Sequence, residues 1–549
     1  MFSPRDLTSH ALNRRSLLEL AGRATAGAFA GFADLRPFGM QQVQRFAELH
    51  RLTPPAHVRH IATTAYDAAG DRGGALYECF DLGSPTANEA FVSARPLAAA
   101  RTANGRFFAI AAATLNPRQF GAGSGGGDDT EAVQAAFDES ARTGTTCVVD
   151  QVHQVQLPIY LASNAMIKAR GGKILNVRQD RNPQLLLALL PGNYSTQYFR
   201  NSNGVACHPV GEGQRQITPT VASAAKGFSP GDIVHVRSRE YYLAGGPGEV
   251  PLVRTFNRIR ADWDGTSPIT LEHPILAPIA SPLIEAVGRQ AIPDILNRRP
   301  LYVCHGARIT GGLDLESRHG QALERGGALA CDFHFGRISG LSGLHTNSID
   351  HSHIRVDRIA ADWKLVDLGG GFHGTTVKVG QAVYRKTARS IDTNLIALNE
   401  CMVGCEVTIG AVEVLGFDYK SQCVCFIGAV DRITAKIGPI DAPDSRGSLF
   451  LIGNMLRDPR KGEAQSLTSR ASLTLSGTTG PGAERYVLFV DGGKRLSDVT
   501  LAGDFRGPVT VSAVTLAGKD NRVSGRFERG RVSRGRTTAA VVRAPSARP

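Results

Sequence analysis

Ionisable side chains are most concentrated between residues 345 and 357, where His351, His353, Arg355 and Asp357 alternate with other residue types. If this stretch is a β-strand with Ile354 and Val356 facing inward, the four side chains share one outward face. Such a patch combines a general base, a cation and an orienting carboxylate. We therefore predict that these four residues are catalytic, although a solvated polar strand would have the same pattern.

The chemistry that fits this patch is β-elimination of a uronic polysaccharide. A base removes the proton next to the sugar carboxylate, and cations stabilise the negative charge that develops. His351 or His353 would be the base, and Arg355, Arg337 and Lys378 would supply the positive charge. A polysaccharide lyase is the function that we favour.

Hydrolysis of a glycosidic bond is the second alternative. It needs two carboxylates that flank the scissile bond, one as acid and one as base or nucleophile. The same region offers four candidate carboxylates: Asp350, Asp357, Asp362 and Asp367. A third alternative is a glycan-binding or surface protein without catalytic activity.

A short pattern recurs along the second half of the chain: an apolar residue, any residue, an apolar residue and then glycine. Clear examples end at Gly380, Gly410, Gly438, Gly477 and Gly503, at steps of 30, 28, 39 and 26 residues, and weaker ones precede them. Variable steps of this size predict solenoid coils that carry loops of different length.

In each repeat the middle residue must point outward if its apolar neighbours point inward. The outward positions are, in order, Arg308, Arg337, Arg355, Lys378, Thr408, Lys436, Thr474 and Thr500. On coils about 4.8 Å apart these cations would repel one another by about 1 kcal/mol per pair. An anionic chain would relieve that cost, so we predict that Arg308, Arg337, Lys378 and Lys436 bind substrate. A solvated face is the alternative.

Upstream, Phe120-Gly121-Ala122 is followed by Asp128-Asp129-Thr130 and an Ala-rich run to Phe137. The acidic pair predicts a helix N-cap rather than a catalytic dyad, and Gly144 predicts the end of the helix. The segment 120–137 resembles the opening motif of the pectate-lyase-like β-helix proteins, in which a short helix caps the first coil. The segment 70–77, Gly-Asp-Arg-Gly-Gly-Ala-Leu-Tyr, resembles the lead-in module of tailspike-like and secreted carbohydrate-active members.

The resemblance implies an all-β fold: a right-handed parallel β-helix with an N-terminal capping helix, to which the strand patterns of residues 226–300 add a small inserted β module. It also implies lyases, hydrolases, epimerases or non-catalytic spikes as relatives, and a homotrimer as the assembly. Many lyases of this kind bind calcium through an acidic cluster, for which the chain has no equivalent. We predict no cofactor, and calcium enters through the resemblance alone. Of the polygalacturonase-type hydrolase motifs, only Gly371-Phe372-His373-Gly374 resembles one.

The domain organisation follows from these patterns. Residues 1–30 carry a twin-arginine-like signal around Arg14-Arg15, which predicts a periplasmic or secreted protein. The lead-in module is predicted over 34–115, the β-helix over 116–530 with its insertion at about 226–300, and a basic tail over 531–549.

Composition limits the partners. The formal charge of +13 favours an anionic partner, and we predict an acidic polysaccharide. No RNP, zinc-finger or P-loop pattern points to nucleic acid, and no apolar run predicts a membrane span. Only two tryptophans are present, which is too few for a long sugar-stacking surface. The Cys401, Cys405, Cys423 and Cys425 set favours buried thiols over a zinc site, because Cys-Val-Cys lies in a strand-like run.

Overall fold

The computed structural model forms two compact units, Met1–Ile174 and Leu175–Pro549. It describes residues 39–532 with internal gaps at 124–126, 179–186, 189–203, 240–252, 288–302, 319–322, 325–326, 391–392, 400, 419–422, 429, 453–467, 480–487, 491–495, 498–499, 507–508, 512–521 and 528–529. The predicted signal, residues 1–30, lies outside the described residues, as does nearly all of the basic tail, 531–549. In the described part of the chain, no helix has the length and apolarity needed to cross a bilayer.

The first unit opens with a five-stranded sheet of order β1-β2-β3-β5-β4. Its strands are β1 Met40–Val43, β2 His60–Thr63, β3 Leu76–Phe80, β4 Ala99–Arg101 and β5 Phe107–Ile110, with a 3-10 helix at Phe46–Arg51 and helix α1 at Pro85–Ser93. The Gly-rich segment at 70–74 leads into β3, as its sequence suggests. Tyr77 and Phe108 are fully buried, so the module has its own apolar core.

The helix that follows, α2 (Thr130–Thr143), is the predicted capping helix. The Asp128 carboxylate accepts from the Thr130 amide at 3.0 Å, whereas Asp129 accepts from the Gly123 amide and contacts His153. Gly144 ends the helix in the left-handed conformation, with φ +70°. A 3-10 helix at Pro117–Phe120 precedes α2. Five strands follow α2: β6 Cys147–Val149, β7 Val152–Val155, β8 Ile159–Tyr160, β9 Met166–Ala169 and β10 Lys173–Asn176. The helix packs on β6 to β9, and β6 pairs with β9 in parallel.

The second unit begins with β11 (Leu187–Ala188) and then leaves the solenoid for an antiparallel insertion, called here the inserted module. Its strands are β12 Val205–Ala206, β13 Gln216–Ile217, β14 Ile233–Ser238, β15 Arg254–Arg258, β16 Ile269–Thr270 and β17 Pro282–Ala286, with a 3-10 helix at Ala222–Gly227. The main sheet has the order β12-β17-β14-β15. Val234, Val236, Trp263 and Ile284 form its core. The sequence pattern placed this insertion at about 226–300, and its strands span 205–286.

The remaining strands stack coil upon coil. They are β18 Cys304–His305, β19 Arg308–Thr310, β20 Asp314–Ser317, β21 Leu323–Glu324, β22 Ala328–Leu329, β23 Asp332–Asp350, β24 His353–His373, β25 Thr376–Arg385, β26 Ile396–Leu398, β27 Met402–Val403, β28 Glu406–Leu415, β29 Cys423–Ile427, β30 Val430–Asp431, β31 Thr434–Ala442, β32 Ser448–Ile452, β33 Thr468–Ser469, β34 Ser472–Thr479, β35 Leu488–Val490, β36 Leu496–Ser497, β37 Thr500–Arg506, β38 Val509–Val511, β39 Arg522–Phe527 and β40 Gly530–Val532.

The coil strands of the described residues pair in parallel, and equivalent positions on successive coils are directly in register. The step between coils varies from 21 residues, Asp332 to His353, to 38 residues, Thr434 to Ser472. The predicted parallel β-helix is therefore confirmed. Its interior is an apolar stack in which Ile354, Val377, Val407, Ala435 and Leu473 are buried one above the other.

The repeated glycine marks a corner of the coil. Gly380 and Gly410 lie on successive coils, directly after the inward-facing Val379 and Ile409. A Cβ atom on Gly410 would overlap the carbonyl oxygen of Gly380, and one on Gly380 would lie 2.6 Å from the carbonyl oxygen of Asp357. Close backbone approach between coils thus explains the glycine at the end of the pattern.

The cysteines lie in the β-helix interior or in other buried positions, apart from the half-buried Cys79. Cys405 donates to the carbonyl oxygens of Phe372 and Val403, and Ser352, a serine at the equivalent position of another coil, donates to Asp350 O. Burial raises the pKa of Cys405 and Cys423 to about 12. These thiols therefore stay protonated at neutral pH, where Cys405 donates to backbone carbonyls and Cys423 donates to the side-chain oxygen of Asn394.

Candidate functional site

The strand β24 holds the predicted patch, and alternation decides which of its side chains face solvent. Ile354 and Val356 are buried in the coil, so His353, Arg355 and Asp357 point outward and are exposed. Strands from neighbouring coils flank β24 on both sides. The site is therefore built from single residues that lie far apart in sequence.

One outward ladder carries most of the predicted cations. Arg355 pairs with Lys378, Lys378 with Thr408, Thr408 with Lys436 and Lys436 with Thr474. All five side chains are exposed. We call this row the cationic ladder. Its neighbours are about 4.8 Å apart, and no carboxylate of the described residues forms an ion pair with Lys378 or Lys436.

Three other positions of the predicted column lie elsewhere. Arg308 pairs with Asp332, which pairs with His353, so Arg308 belongs to a neighbouring outward ladder. Arg337 pairs with Arg358, three residues further along the strands than the pair of His334 and Arg355, and so belongs to a different ladder. Thr500 pairs with Ser472 rather than Thr474. The sequence pattern misplaced them because corners and loops change the spacing between repeats by a few residues, and only hydrogen-bonded register resolves such shifts.

Asp357 connects two coils at the start of the cationic ladder. Its Oδ1 accepts from Arg355 Nε at 2.9 Å, and its Oδ2 lies 2.9 Å from His334 Nε2. Its partial burial would raise its pKa, but the hydrogen bonds with His334 and Arg355 outweigh burial and lower it. Asp357 is thus ionised at neutral pH and orients both an imidazole and a guanidinium.

His334 was missed by the sequence reasoning. It lies in β23, on the coil before Arg355, and the two residues are directly paired. The sequence did contain a signal for its position. His334 stands between the apolar Phe333 and Phe335, which predicts an outward side chain, and it precedes Arg355 by 21 residues, the step that also joins Asp332 to His353. Arg358 was missed too, although it pairs with Arg337 and adds a second cation to that ladder.

His351 does not share the outward face of His353, which corrects its predicted placement. It occupies a turn with φ +49°, and its ring stacks on His273 of the inserted module at a centroid distance of 4.1 Å. Burial, with the charges of His273, His373 and Arg215, lowers its pKa to about 3. So weak a base cannot abstract a sugar proton effectively near neutral pH.

Three of the four carboxylates suggested for hydrolysis are buried and held in structural contacts. Asp350 accepts from the amides of Phe256 and His373, at 2.5 and 2.8 Å. Asp362 accepts from Arg389 and Thr387, and Asp367 forms an ion pair with Lys364. Asp357 is the exposed member of this group. The acid-and-base pair of a hydrolase is therefore not assembled from these four residues.

No set of three or more His, Cys, Asp or Glu side chains in the described ranges is arranged to hold a metal ion. His353 and Arg308 lie beside the acidic Asp332, in the ladder next to the cationic ladder. The outward face thus combines two imidazoles, at His334 and His353, with a row of cations and the bound carboxylate of Asp357.

No protein-family model matches the sequence, and no curated protein does so either. Solved structures to which this chain is similar include the tailspike protein gp49 from Pseudomonas phage LKA1, with 12% identity and a TM-score of 0.33, covering 79% of this chain and 78% of that one. The gp54 tailspike of Acinetobacter baumannii bacteriophage AP22, solved with a capsular saccharide, has 9% identity, a TM-score of 0.33 and coverages of 76% and 74%. The Streptococcus pneumoniae surface protein and adhesin PfbA has 10% identity, a TM-score of 0.32 and coverages of 78% and 97%.

Proposed function

We propose that this protein binds an acidic polysaccharide outside the cytoplasm, with the polymer lying along the cationic ladder. The observation that carries the proposal is the direct pairing of Arg355 with Lys378, and of Lys436 two coils further on, all with exposed side chains. Like charges held this close in register repel one another, so the row gains from an anionic ligand. The ladder runs perpendicular to the strands, so a polymer bound along it crosses successive coils.

The reaction that suits this face best is β-elimination, with His334 as the base. Asp357 accepts from Nε2–H, so that the neutral imidazole presents Nδ1 as the proton acceptor. Nδ1 takes the proton next to the uronate carboxylate, and the electron pair forms the double bond as the glycosidic oxygen leaves. Arg355 and Lys378 stabilise the negative charge on the sugar carboxylate in the transition state. His353, exposed on the adjacent ladder, is the second candidate base.

Binding is tested by retention of the full chain on an immobilised uronic polysaccharide over a salt gradient. Arg355→Ala combined with Lys378→Ala should elute at much lower salt than the unmodified protein, because each lost cation weakens a screened attraction. The matched control is Arg170→Ala with Lys226→Ala, which removes two exposed cations that lie off the ladder. Equal elution of the ladder variant and the control would refute the binding site.

Cleavage is tested separately by ultraviolet absorbance of the unsaturated uronate product. His334→Gln should abolish product formation and leave retention on the column unchanged, because the substitution removes the base but not the cations. Reducing ends without the absorbance would identify a hydrolase. Retention without either product would identify a glycan-binding protein and leave the cationic ladder as its binding surface.

A further inference from the structure

One edge of the β-helix is formed by turn residues that all adopt a left-handed backbone. These residues directly follow a paired ladder, and their φ angles lie between +47° and +68°. We call them the corner column: Gly306, Ala330, His351, Gly374, Gly404, Arg432 and Arg470. The inserted module contacts this edge at several levels.

The middle of the contact is made by His273 and Leu276. The His273 ring stacks on His351, with 11° between the ring planes. Leu276 lies over the next two coils: a Cβ built on Gly374 or Gly404 would be 3.2 or 3.0 Å from Leu276 Cδ1. These two glycines therefore serve both the turn and the close approach of the module.

The two ends of the contact are polar. Glu212 forms ion pairs with Arg432 and, at 3.3 Å, with Arg470. At the other end, the Phe256 amide on β15 donates to Asp350 Oδ2. Neither contact contains an imidazole, the side chain whose charge ordinarily changes between pH 5 and pH 8. The imidazole pair between them is the part that can respond.

The environment of the pair favours neutral rings. Burial lowers the pKa of His273, Arg215 adds to this effect, and Glu272 and Asp350 oppose it. His351 faces His273, His373 and the charge of Arg215, and its Nε2 is buried without a hydrogen-bond partner among the described residues. In the described part of the chain no side-chain acceptor hydrogen-bonds the His351 ring, whereas flat stacking suits two neutral rings.

We propose that His273 and His351 form a pH-sensitive latch, which holds the inserted module on the corner column while both rings are neutral and releases it when they become protonated. Two imidazolium ions at this separation repel each other. The latch depends only on contacts between the module and the coils. It therefore stands whether or not the cationic ladder binds a polysaccharide.

The size of the effect follows from linkage. If release returns His351 to the ordinary histidine pKa of about 6.5, the equilibrium constant for opening rises roughly thirtyfold between pH 8 and pH 5. Protonation of His273 adds to this factor.

The test is hydrogen exchange of the full chain, followed by mass spectrometry at pH 8, 6.5 and 5 and corrected for the intrinsic pH dependence of exchange. The reporter is the Phe256 amide, because its acceptor lies on the coil. The reference is Val236, an inner residue of the module sheet, paired with Thr255 and Ile284. The unmodified protein should lose protection at Phe256 roughly thirtyfold at pH 5 and keep it at Val236.

His351→Asn removes the titrating ring and keeps a residue that tolerates the left-handed turn. It should abolish most of the pH response at Phe256, and His273→Asn should do the same from the module side. His208→Asn, which removes an exposed histidine of the module, should respond like the unmodified protein. A pH-independent Phe256 amide, or an unchanged response in both latch variants, overturns the proposal. If one latch variant fails to fold, the other one decides.

Discussion

His334 Nε2 and Asp357 Oδ2 lie 2.9 Å apart on neighbouring coils, and the second oxygen of the same carboxylate holds Arg355. The His334 side chain is 27% exposed, Asp357 46% and Arg355 64%. Solvent therefore reaches all three members. Exposed pairs of this kind contribute little to stability, so substitutions here are expected to test the proposed binding and cleavage without unfolding the chain.

Asp357→Asn separates binding from cleavage. Removing the negative charge next to Arg355 should strengthen retention on an acidic polysaccharide by about fivefold in affinity at low salt, which corresponds to about 1 kcal/mol. The same change should slow formation of the unsaturated product, because His334 loses the carboxylate that orients it. Affinity and initial rate are measured on one preparation. Asp262→Asn, which breaks an exposed pair with Arg260 in the inserted module, is the control and should change neither.

Gly410→Ala tests the close coil contact. The added methyl group would overlap the Gly380 carbonyl oxygen, so the coils must move apart, and the free energy of unfolding should fall by about 1–3 kcal/mol. Gly227→Ala is the matched control, because a Cβ there meets no atom within 4 Å. Urea denaturation compares the two variants. Equal stability would mean that the coils are less tightly stacked at this corner.

Asp350→Asn tests the contact between a coil and the inserted module. The carboxylate accepts from two backbone amides, those of Phe256 and His373, whereas an asparagine side chain has one oxygen and would present its NH2 group to the other donor. One buried amide is left unsatisfied, which should cost about 1–3 kcal/mol. The Phe256 amide should also exchange faster at pH 8. Asp444→Asn, an exposed substitution, should do neither.

Stability should decrease in mild acid. Burial lowers the pKa of His235, His273, His305 and His351 in the folded chain. Below about pH 6.5 these histidines bind protons in the unfolded chain but not in the folded chain, so the free energy of unfolding falls as pH decreases. For His351 the loss continues to about pH 3, at up to about 1.4 kcal/mol per pH unit.

Urea midpoints at pH 7.5, 6 and 5 measure this slope. His351→Asn should reduce the slope of the free energy of unfolding against pH by an amount that corresponds to at most one bound proton, whereas His208→Asn should leave the slope unchanged. A midpoint that stays constant over the range would show that these rings titrate in the folded chain as they do in the unfolded one.

The local sequence pattern was enough to predict the fold because every coil needs the same arrangement of inward-facing apolar residues. Alternating apolar residues such as Val377 and Val379 must face the interior, and glycine must follow where the backbones of Gly380 and Gly410 meet. The capping helix was equally local, since Asp128 satisfies an amide two residues away. The alternation and the helix cap depend on neighbours within one coil, and the glycine depends on the equivalent position of the next coil. A repeating sequence pattern therefore predicts all three.

The site depended on register, which the sequence records only weakly. The sequence was enough to predict that Arg355, Lys378, Thr408 and Lys436 share a ladder, because their coils share one sequence pattern. Arg308 and Arg337 were assigned to the wrong ladder because corners shift the spacing by a few residues. His334 belongs to the site because its coil pairs directly with that of Arg355. His351 lies outside the site because it occupies a left-handed turn and stacks on His273 of the inserted module.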